Sequence, residues 1–176
     1  MGRHMVANAA AVAAACRAQN IPFSQIATGL EAFQPVPGRM RPLQMDNGTL
    51  VIDDCYNANP SAVKAAIDVL AALPAKRILV LGDMGELGVD EISLHAETGA
   101  WAAQRGIELL LTRGPLSQHT VDGYRRAGGL EALHFDSHEE LISHLQPLCD
   151  GDCRVLVKGS RSAAMEKVVT ALIEGA

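Results

Sequence analysis

Apolar runs ending in polar side chains recur along the chain, and each is followed by a stretch of mixed polarity long enough for a helix. Leu50–Asp54, Arg77–Gly82, Glu108–Thr112, Ala132–Phe135 and Arg154–Lys158 read as strands. Ser61–Leu73, Ile92–Arg105, Ser117–Ala127, Glu139–Leu148 and Ala163–Ile173 read as helices. Local end signals agree. Ser61 or Pro60 opens the first of these helices, Ser137 precedes Glu139 and Glu140, and Gly106 follows Arg105. Such alternation predicts an α/β fold, a doubly wound and mostly parallel sheet with right-handed crossovers.

The chain before Leu50 has a different pattern. Val6–Ala18 is an alanine-rich helical run that ends near Asn20 and Pro22, and Ser24 can cap a shorter helix through Phe33. Two helices this short bury too little surface alone, so they are expected to pack on the following domain or on further chain. Gln34-Pro35-Val36-Pro37-Gly38 is a linker, because its prolines forbid helix and its glycine permits a tight bend. Arg41–Met45 and Thr49–Asp53 then flank Asp46-Asn47-Gly48, and Asn-Gly is a strong hairpin signal. The expected organisation is a short helical segment over 1–35 and an α/β domain over 36–176 that opens with a β-hairpin.

Composition narrows the class. In 176 residues, 48% are apolar, drawn from Ala, Val, Leu and Ile rather than aromatics, which suits a parallel sheet under close-packed helices. The net charge of −5 argues against a general nucleic-acid or membrane-surface binder. No apolar run is long enough to span a bilayer and no signal-peptide pattern opens the chain, so a cytoplasmic monomer without membrane insertion is expected. The opening Met1-Gly2-Arg3-His4-Met5 reads either as an expression scar or as native sequence. Cys16, Cys55, Cys149 and Cys153 form no CxxC pair, and reduced thiols are expected rather than a metal site or disulfide framework.

Candidate chemistry gathers where strands end, because ligands of open α/β sheets sit outside the carboxyl ends of strands. Asp53 and Asp54 can hold Mg²⁺ or accept from ribose hydroxyls, and Tyr56, Asn57 and Asn59 after them suit a purine and its sugar. Gly82-Asp83-Met84-Gly85-Glu86-Leu87-Gly88 has G-x-x-G-x-x-G spacing, without the tight Gly-x-Gly, and no acidic residue ends the next strand at Thr112-Arg113. A nicotinamide-dinucleotide site is therefore rejected, while Asp83 and Glu86 remain candidate site carboxylates. His95, beyond this loop, reads as a surface or packing histidine. Lys158-Gly159-Ser160-Arg161-Ser162 ends the last strand and opens the last helix, where backbone N–H groups with Lys158 and Arg161 would bind a carboxylate or phosphate. Arg39, just past the linker, reads equally as a surface arginine or as a phosphate ligand across a cleft. No Walker loop is present in the sequence.

Taken together these runs resemble the Mur ligase family. Gly2-Arg3-His4-Met5-Val6-Ala7-Asn8-Ala9 looks like the end of that family's central domain, where G-x-H-N-x-x-N precedes an alanine-rich helix, and Pro37-Gly38-Arg39-Met40 looks like its interdomain arginine motif. Asp53-Asp54-Cys55-Tyr56-Asn57-Ala58-Asn59-Pro60-Ser61, Leu81–Gly88 and Val157–Ser162 look like the runs of members that add D-alanyl-D-alanine to UDP-N-acetylmuramoyl-tripeptide. The resemblance spans the whole chain and favours a native Gly-Arg-His opening. It implies a Rossmann-like C-terminal ligase domain over 36–176, with 1–35 as the helical tail of a central ATPase domain. It implies cell-wall peptidoglycan synthesis, in which ATP and Mg²⁺ convert a tripeptide carboxylate to an acyl phosphate that the dipeptide amine attacks. It also implies that Asn8 lies near the adenine, Arg39 near the terminal phosphate and Asp54 at the ribose. Tyr56, Asn57 and Asn59 would line the nucleotide side. Lys158, Ser160 and Arg161 would take the dipeptide carboxylate, with Asp83 and Glu86 beside them.

The chain departs from the family pattern in several ways. It has no P-loop, no UDP-binding N-terminal domain, and none of the region that would carry the family's magnesium-binding Glu and His or its carbamylated lysine. Met5 replaces an adenine-side Asn. No catalytic or metal-ligating residue is therefore expected within these 176 residues, and no turnover by them alone. Two alternatives belong to other classes. A receiver-like signalling domain would use Asp53/Asp54, Asp83, Thr112 and Lys158, but Lys158 is followed by Gly, the hairpin has no place there, and Asp83 follows the acidic pair too soon. A stand-alone nucleotide-binding module would leave the Asn8 and Arg39 motifs without use.

Overall fold

The computed structural model describes residues 3–175, and of Arg3 and His4 only the backbone, so Met1 and Gly2 of the opening motif lie outside the described residues. The chain divides into two compact units, Met1–Pro35 and Val36–Ala176.

The first unit is a helix pair. Helix α1 runs Arg3–Ala18, three residues further toward the N-terminus than expected, and α2 runs Phe23–Glu31. Asn20 makes the turn with φ +62°, a left-handed conformation that asparagine tolerates. The cap of α2 is Pro22 in extended conformation, not Ser24, which lies inside the helix. Arg17 holds the corner. It donates to the Ile21 carbonyl at 2.9 Å and lays its guanidinium over the Phe23 ring at 4.6 Å. Val6, Val12 and Phe23 are more than half exposed, so this unit leaves much of its apolar surface open.

The second unit is a three-layer α/β sandwich. Its elements are β1 Arg41–Gln44, β2 Leu50–Asp54, α3 Pro60–Ala71, β3 Lys76–Gly82, α4 Glu91–Gln104, β4 Leu109–Arg113, α5 Ser117–Arg126, β5 Glu131–Phe135, α6 His138–Leu145, β6 Cys153–Lys158 and α7 Glu166–Glu174. The hairpin forms as the Asn-Gly signal predicts. Gly48 takes φ +97°, and Met45 N–H donates to the Thr49 carbonyl at 2.9 Å.

The sheet order is β1-β2-β6-β3-β4-β5, with only the β1/β2 pair antiparallel. Strand side chains alternate between two cores. Val51, Ile78, Val80, Leu109, Leu111, Val155 and Val157 pack under α6 and α7. Ile52, Leu79, Leu81, Leu110 and Leu156 pack under α3, α4 and α5. The central strands are buried on both faces, which is why they read as unbroken apolar runs.

Two helices of this unit have a boundary three residues from the one expected. Helix α6 stops at Leu145, and Pro147 falls in a 3-10 turn over Gln146–Leu148. The last helix begins only at Glu166. Arg161–Ala163 is a separate 3-10 turn, and Ala164 turns left-handed at φ +50° between the two.

Candidate functional site

Strand order decides what stands together. Strand β6 lies between β2 and β3, so Asp54 is level with Lys158, and Lys158 with Leu81. Strands β2 and β3 lead to helices on one face of the sheet, and β6 leads to α7 on the other. Connections that part to opposite faces open a crevice at the strands' carboxyl ends, and this is the topological switch point where such folds bind ligands.

On the β2 side, the acidic pair is turned toward the segment before the hairpin. Asp53 Oδ2 accepts from Gly38 N–H at 2.8 Å, and Asp54 Oδ1 accepts from Met40 N–H at 3.0 Å. Gly38 sits at φ +76° and accepts from Tyr56 N–H at 3.0 Å, so the linker end is stitched to the start of the loop after β2. Arg39, at the tip of this stitch, stacks its guanidinium over the Tyr56 ring at 4.0 Å. Both side chains are exposed. Asn57 accepts from the Ala58 N–H through its own side chain. Asn59 is the N-cap of α3, with Oδ1 accepting from Ala62 N–H at 2.9 Å and Pro60 following as the first helical residue. The helix therefore opens at Pro60, one of the two residues expected, with Asn59 rather than either of them as its cap. Only the Asn59 amide nitrogen is left to meet anything else.

Lys158 is not aimed outward. Its ammonium meets Asp54 Oδ2 at 2.6 Å and the Asn57 carbonyl at 2.8 Å, and its side chain is 4% exposed against 13% for Asp54. A free ligand carboxylate therefore finds this cation already neutralised. Beyond it, Gly159 leaves no room for a side chain: a Cβ there would lie 2.7 Å from Met165 Cγ. Ser160 is buried, its hydroxyl 3.1 Å from that of Ser162, while Arg161 is open to solvent and forms a loose pair with Glu166 at 3.4 Å. The expected helix N-terminus is absent here, because α7 starts past the Ala164 turn and carries Glu166 in its first turn. Anion binding at this loop would thus rest on local N–H groups and Arg161, not on a helix dipole.

The loop after β3 lies against this one. Ser160 N–H donates to the Asp83 carbonyl at 2.8 Å, and a Cβ on Gly85 would stand 3.6 Å from Ser160 Cβ. The Asp83 carboxylate faces inward and caps α5, accepting from Leu116 N–H at 3.2 Å, Ser117 N–H at 2.7 Å and the Ser117 hydroxyl. Glu86 is exposed, has no ion-pair partner among the described residues, and sits at φ +61°, a conformation uncommon for a non-glycine. His95 is 1% exposed and belongs to this loop rather than to the surface. Its Nε2 accepts from Met84 N–H at 3.0 Å, and its Nδ1 lies 2.7 Å from the Glu91 carbonyl. The sequence held a signal for this: a histidine on the helix that follows a glycine-rich strand-end loop.

Other candidates lie elsewhere. Asn8 is exposed on α1 in the first unit. Thr112 is fully buried beside His134, hydroxyl to Nδ1 at 2.9 Å. Burial pushes the His134 imidazole below its ordinary range despite the nearby Asp136 and Asp83. Burial likewise raises the Cys55 thiol, whose Sγ donates to the Val157 carbonyl at 3.3 Å. Among the described residues no group of three or more His, Cys, Asp or Glu is placed to hold a metal ion.

The fold and this edge define a doubly wound α/β domain with a crevice at its strand ends. The comparisons then place it: the chain belongs to the Mur ligase family, matching the Mur ligase, glutamate ligase domain over residues 38–161. It is 41% identical over 175 residues to UDP-N-acetylmuramoyl-tripeptide--D-alanyl-D-alanine ligase of Escherichia coli (strain K12), covering 98% of this chain and 38% of that protein. The ligase of the same name from Bacillus subtilis (strain 168) is 32% identical over 177 residues, covering 99% of this chain and 39% of its own. Among solved structures, MurF from Acinetobacter baumannii superposes with a TM-score of 0.87 at 30% identity, over 99% of this chain and 38% of that one. MurF from Thermotoga maritima in complex with ADP shares the fold, with a TM-score of 0.82 at 23% identity over 99% and 39%. The chain thus spans well under half the length of these relatives.

Proposed function

We propose that this chain is the C-terminal part of an ATP-dependent ligase that joins D-alanyl-D-alanine to UDP-N-acetylmuramoyl-tripeptide in peptidoglycan precursor synthesis, a cytoplasmic and monomeric enzyme. Among the described residues no helix is long and apolar enough to cross a membrane. The observation that carries the proposal is the meeting of the Asp54, Gly85–Glu86 and Ser160–Arg161 segments at the switch point of a Mur ligase fold. In this reading residues 36–176 are the ligase domain and residues 1–35 the tail of the central ATPase domain.

The reaction would form an acyl phosphate on the tripeptide carboxylate from ATP. The dipeptide amine then attacks the acyl carbon, and phosphate leaves as the amide forms. The residues of this chain would bind and orient. Asp54 retains lone pairs on its partly exposed carboxylate for a ribose hydroxyl, and Tyr56, Asn57 and Asn59 would face the nucleotide. Arg39 would reach a phosphate from its stack on Tyr56, and Asn8 is proposed for the adenine. Glu86 would take the dipeptide ammonium and Arg161, with Ser160, its carboxylate. Asp83 would shape that subsite as a helix cap. The Mg²⁺ that the resemblance implies finds no ligand set among the described residues.

The receiver alternative loses its chemistry in this geometry. Lys158 is bound to Asp54, Thr112 is fully buried, and the Asp83 carboxylate caps a helix. Amide-resolved titration of the chain tests the ligase reading. D-alanyl-D-alanine should shift Gly85–Leu87 and Ser160–Ser162, and ATP should shift Asp54–Asn57. Shifts confined to other elements would refute it.

A further inference from the structure

Among the described residues, His95 is the one buried imidazole bound to the loop after β3. Both ring nitrogens are engaged and neither faces solvent: the ring is 1% exposed. The 2.7 Å contact from Nδ1 to the Glu91 carbonyl, one helical turn back, makes Nδ1 the donor, because a carbonyl can only accept. Nε2 is then unprotonated and accepts the Met84 N–H at 3.0 Å. This bond fixes the first peptide of the Met84-Gly85-Glu86 tip. Just upstream, Asp83 is held twice, by its carboxylate at the start of α5 and by its carbonyl at Ser160 N–H. The tip is thus anchored on its entry side, and Glu86 holds a left-handed φ of +61° beyond the anchor. Strained non-glycine conformations of this kind persist only where their surroundings over-determine them.

We propose that His95 is a positioning residue that, by accepting the Met84 N–H, holds the Glu86 carboxylate where it receives the ammonium of the incoming amine substrate. The inference rests on the ligase reading above, and it assigns His95 no contact with substrate and no proton transfer. An unanchored tip would sample other conformations, and the dipeptide would have to select the competent one. Its apparent affinity falls by the fraction of loops so placed. The ATP side of the crevice, built on β2, would not feel the change.

The test is a comparison of His95→Leu with His95→Gln, whose amide oxygen reaches about as far as Nε2. In the full-length ligase, His95→Leu should raise KM for D-alanyl-D-alanine about tenfold, as expected for loss of one buried hydrogen bond, and leave KM for ATP within about twofold. His95→Gln should restore a near wild-type KM, which a purely structural packing role would not require. Hydrogen exchange of the 176-residue chain gives an arm independent of turnover. The Met84 amide should lose protection in His95→Leu and regain it in His95→Gln. Equal rises in both KM values, or no rescue by glutamine, would overturn the positioning role. Unchanged Met84 exchange would overturn the anchor itself. Absence of dipeptide-dependent phosphate release in the wild type would overturn the ligase reading, while the exchange arm would still report on the anchor.

Discussion

Replacing Lys158 by methionine should cost the fold about as much as a large core truncation. The structure sets the magnitude. The Lys158–Asp54 contact is 2.6 Å, with side chains 4% and 13% exposed, and the ammonium also meets the Asn57 carbonyl. A surface ion pair would be worth about 0–1 kcal/mol, but removing one partner of a buried pair costs about 3–5 kcal/mol, because the other charge remains desolvated. Asp54 keeps the Met40 N–H and a sliver of solvent, which places the loss near the low end, about 3 kcal/mol. For a chain of this size that corresponds to a fall of about 10 °C in melting temperature. Urea denaturation of Lys158→Met, Asp54→Asn and the double variant measures it. Asparagine keeps an acceptor for Met40, so each single change strands one buried charge, whereas the double change strands none. The singles should therefore be non-additive by about 2 kcal/mol. Two additive losses below about 1 kcal/mol would show that the pair behaves as a surface bridge and refute the buried-charge reasoning.

Other consequences are equally direct. Gly123→Ala should lose about 1–3 kcal/mol in urea denaturation, because its Cβ would overlap the Ala96 carbonyl where α5 presses on α4. Asn59→Ala should lose about 1 kcal/mol by removing the α3 cap, and Asn59→Asp should not, which paired melting curves would show. Burial lowers the His138 imidazole, whose Nε2 lies 2.9 Å from the Ala163 carbonyl. Its unfolded form then takes up a proton first, so stability should fall as pH drops through the ordinary histidine range toward the lower folded value. His138→Gln should flatten the dependence of the urea midpoint in that window, and an unchanged slope would remove His138 from the linkage. On the ligase reading, Glu86→Gln should raise KM for D-alanyl-D-alanine about tenfold in steady-state kinetics with little effect on that for ATP, as expected for a lost charge-assisted hydrogen bond.

Local signals located most elements because they are statements about single segments. The Asn47-Gly48 turn, the Ser137 cap and the doubly buried strands all follow from neighbouring residues. The family was legible for a similar reason, since its motifs are short runs at strand ends. What sequence did not yield are facts about pairs. Lys158 and Asp54 are 104 residues apart, and their ion pair exists only because β6 inserts between β2 and β3. Without that order, Lys158 before Gly159 reads as a free cation in an anion loop. The late start of α7 was hidden too, because Ala164 adopts a left-handed turn that alanine does not advertise. His95 is buried, the packing alternative of its two readings, but its partner is a backbone N–H, which no side-chain pattern reveals.

These pairs change what the crevice can offer a ligand. Asp53, Asp83 and Lys158, which in isolation look like the strongest ligands, satisfy the linker, a helix end and Asp54. They tie the loops together, and the exposed charged side chains beside them are Arg39, Glu86 and Arg161, the last loosely paired with Glu166. Gly85 abuts Ser160, so Glu86 and Arg161 each stand one residue beyond the same contact. Opposite charges flanking one point suit a zwitterion, with the ammonium on the β3 loop and the carboxylate on the β6 loop. A substrate carrying only one of these charges would leave the other side unanswered. The proposed subsite therefore selects for a free amino acid or dipeptide, and D-alanyl-D-alanine with either terminus blocked should lose most of its affinity for it.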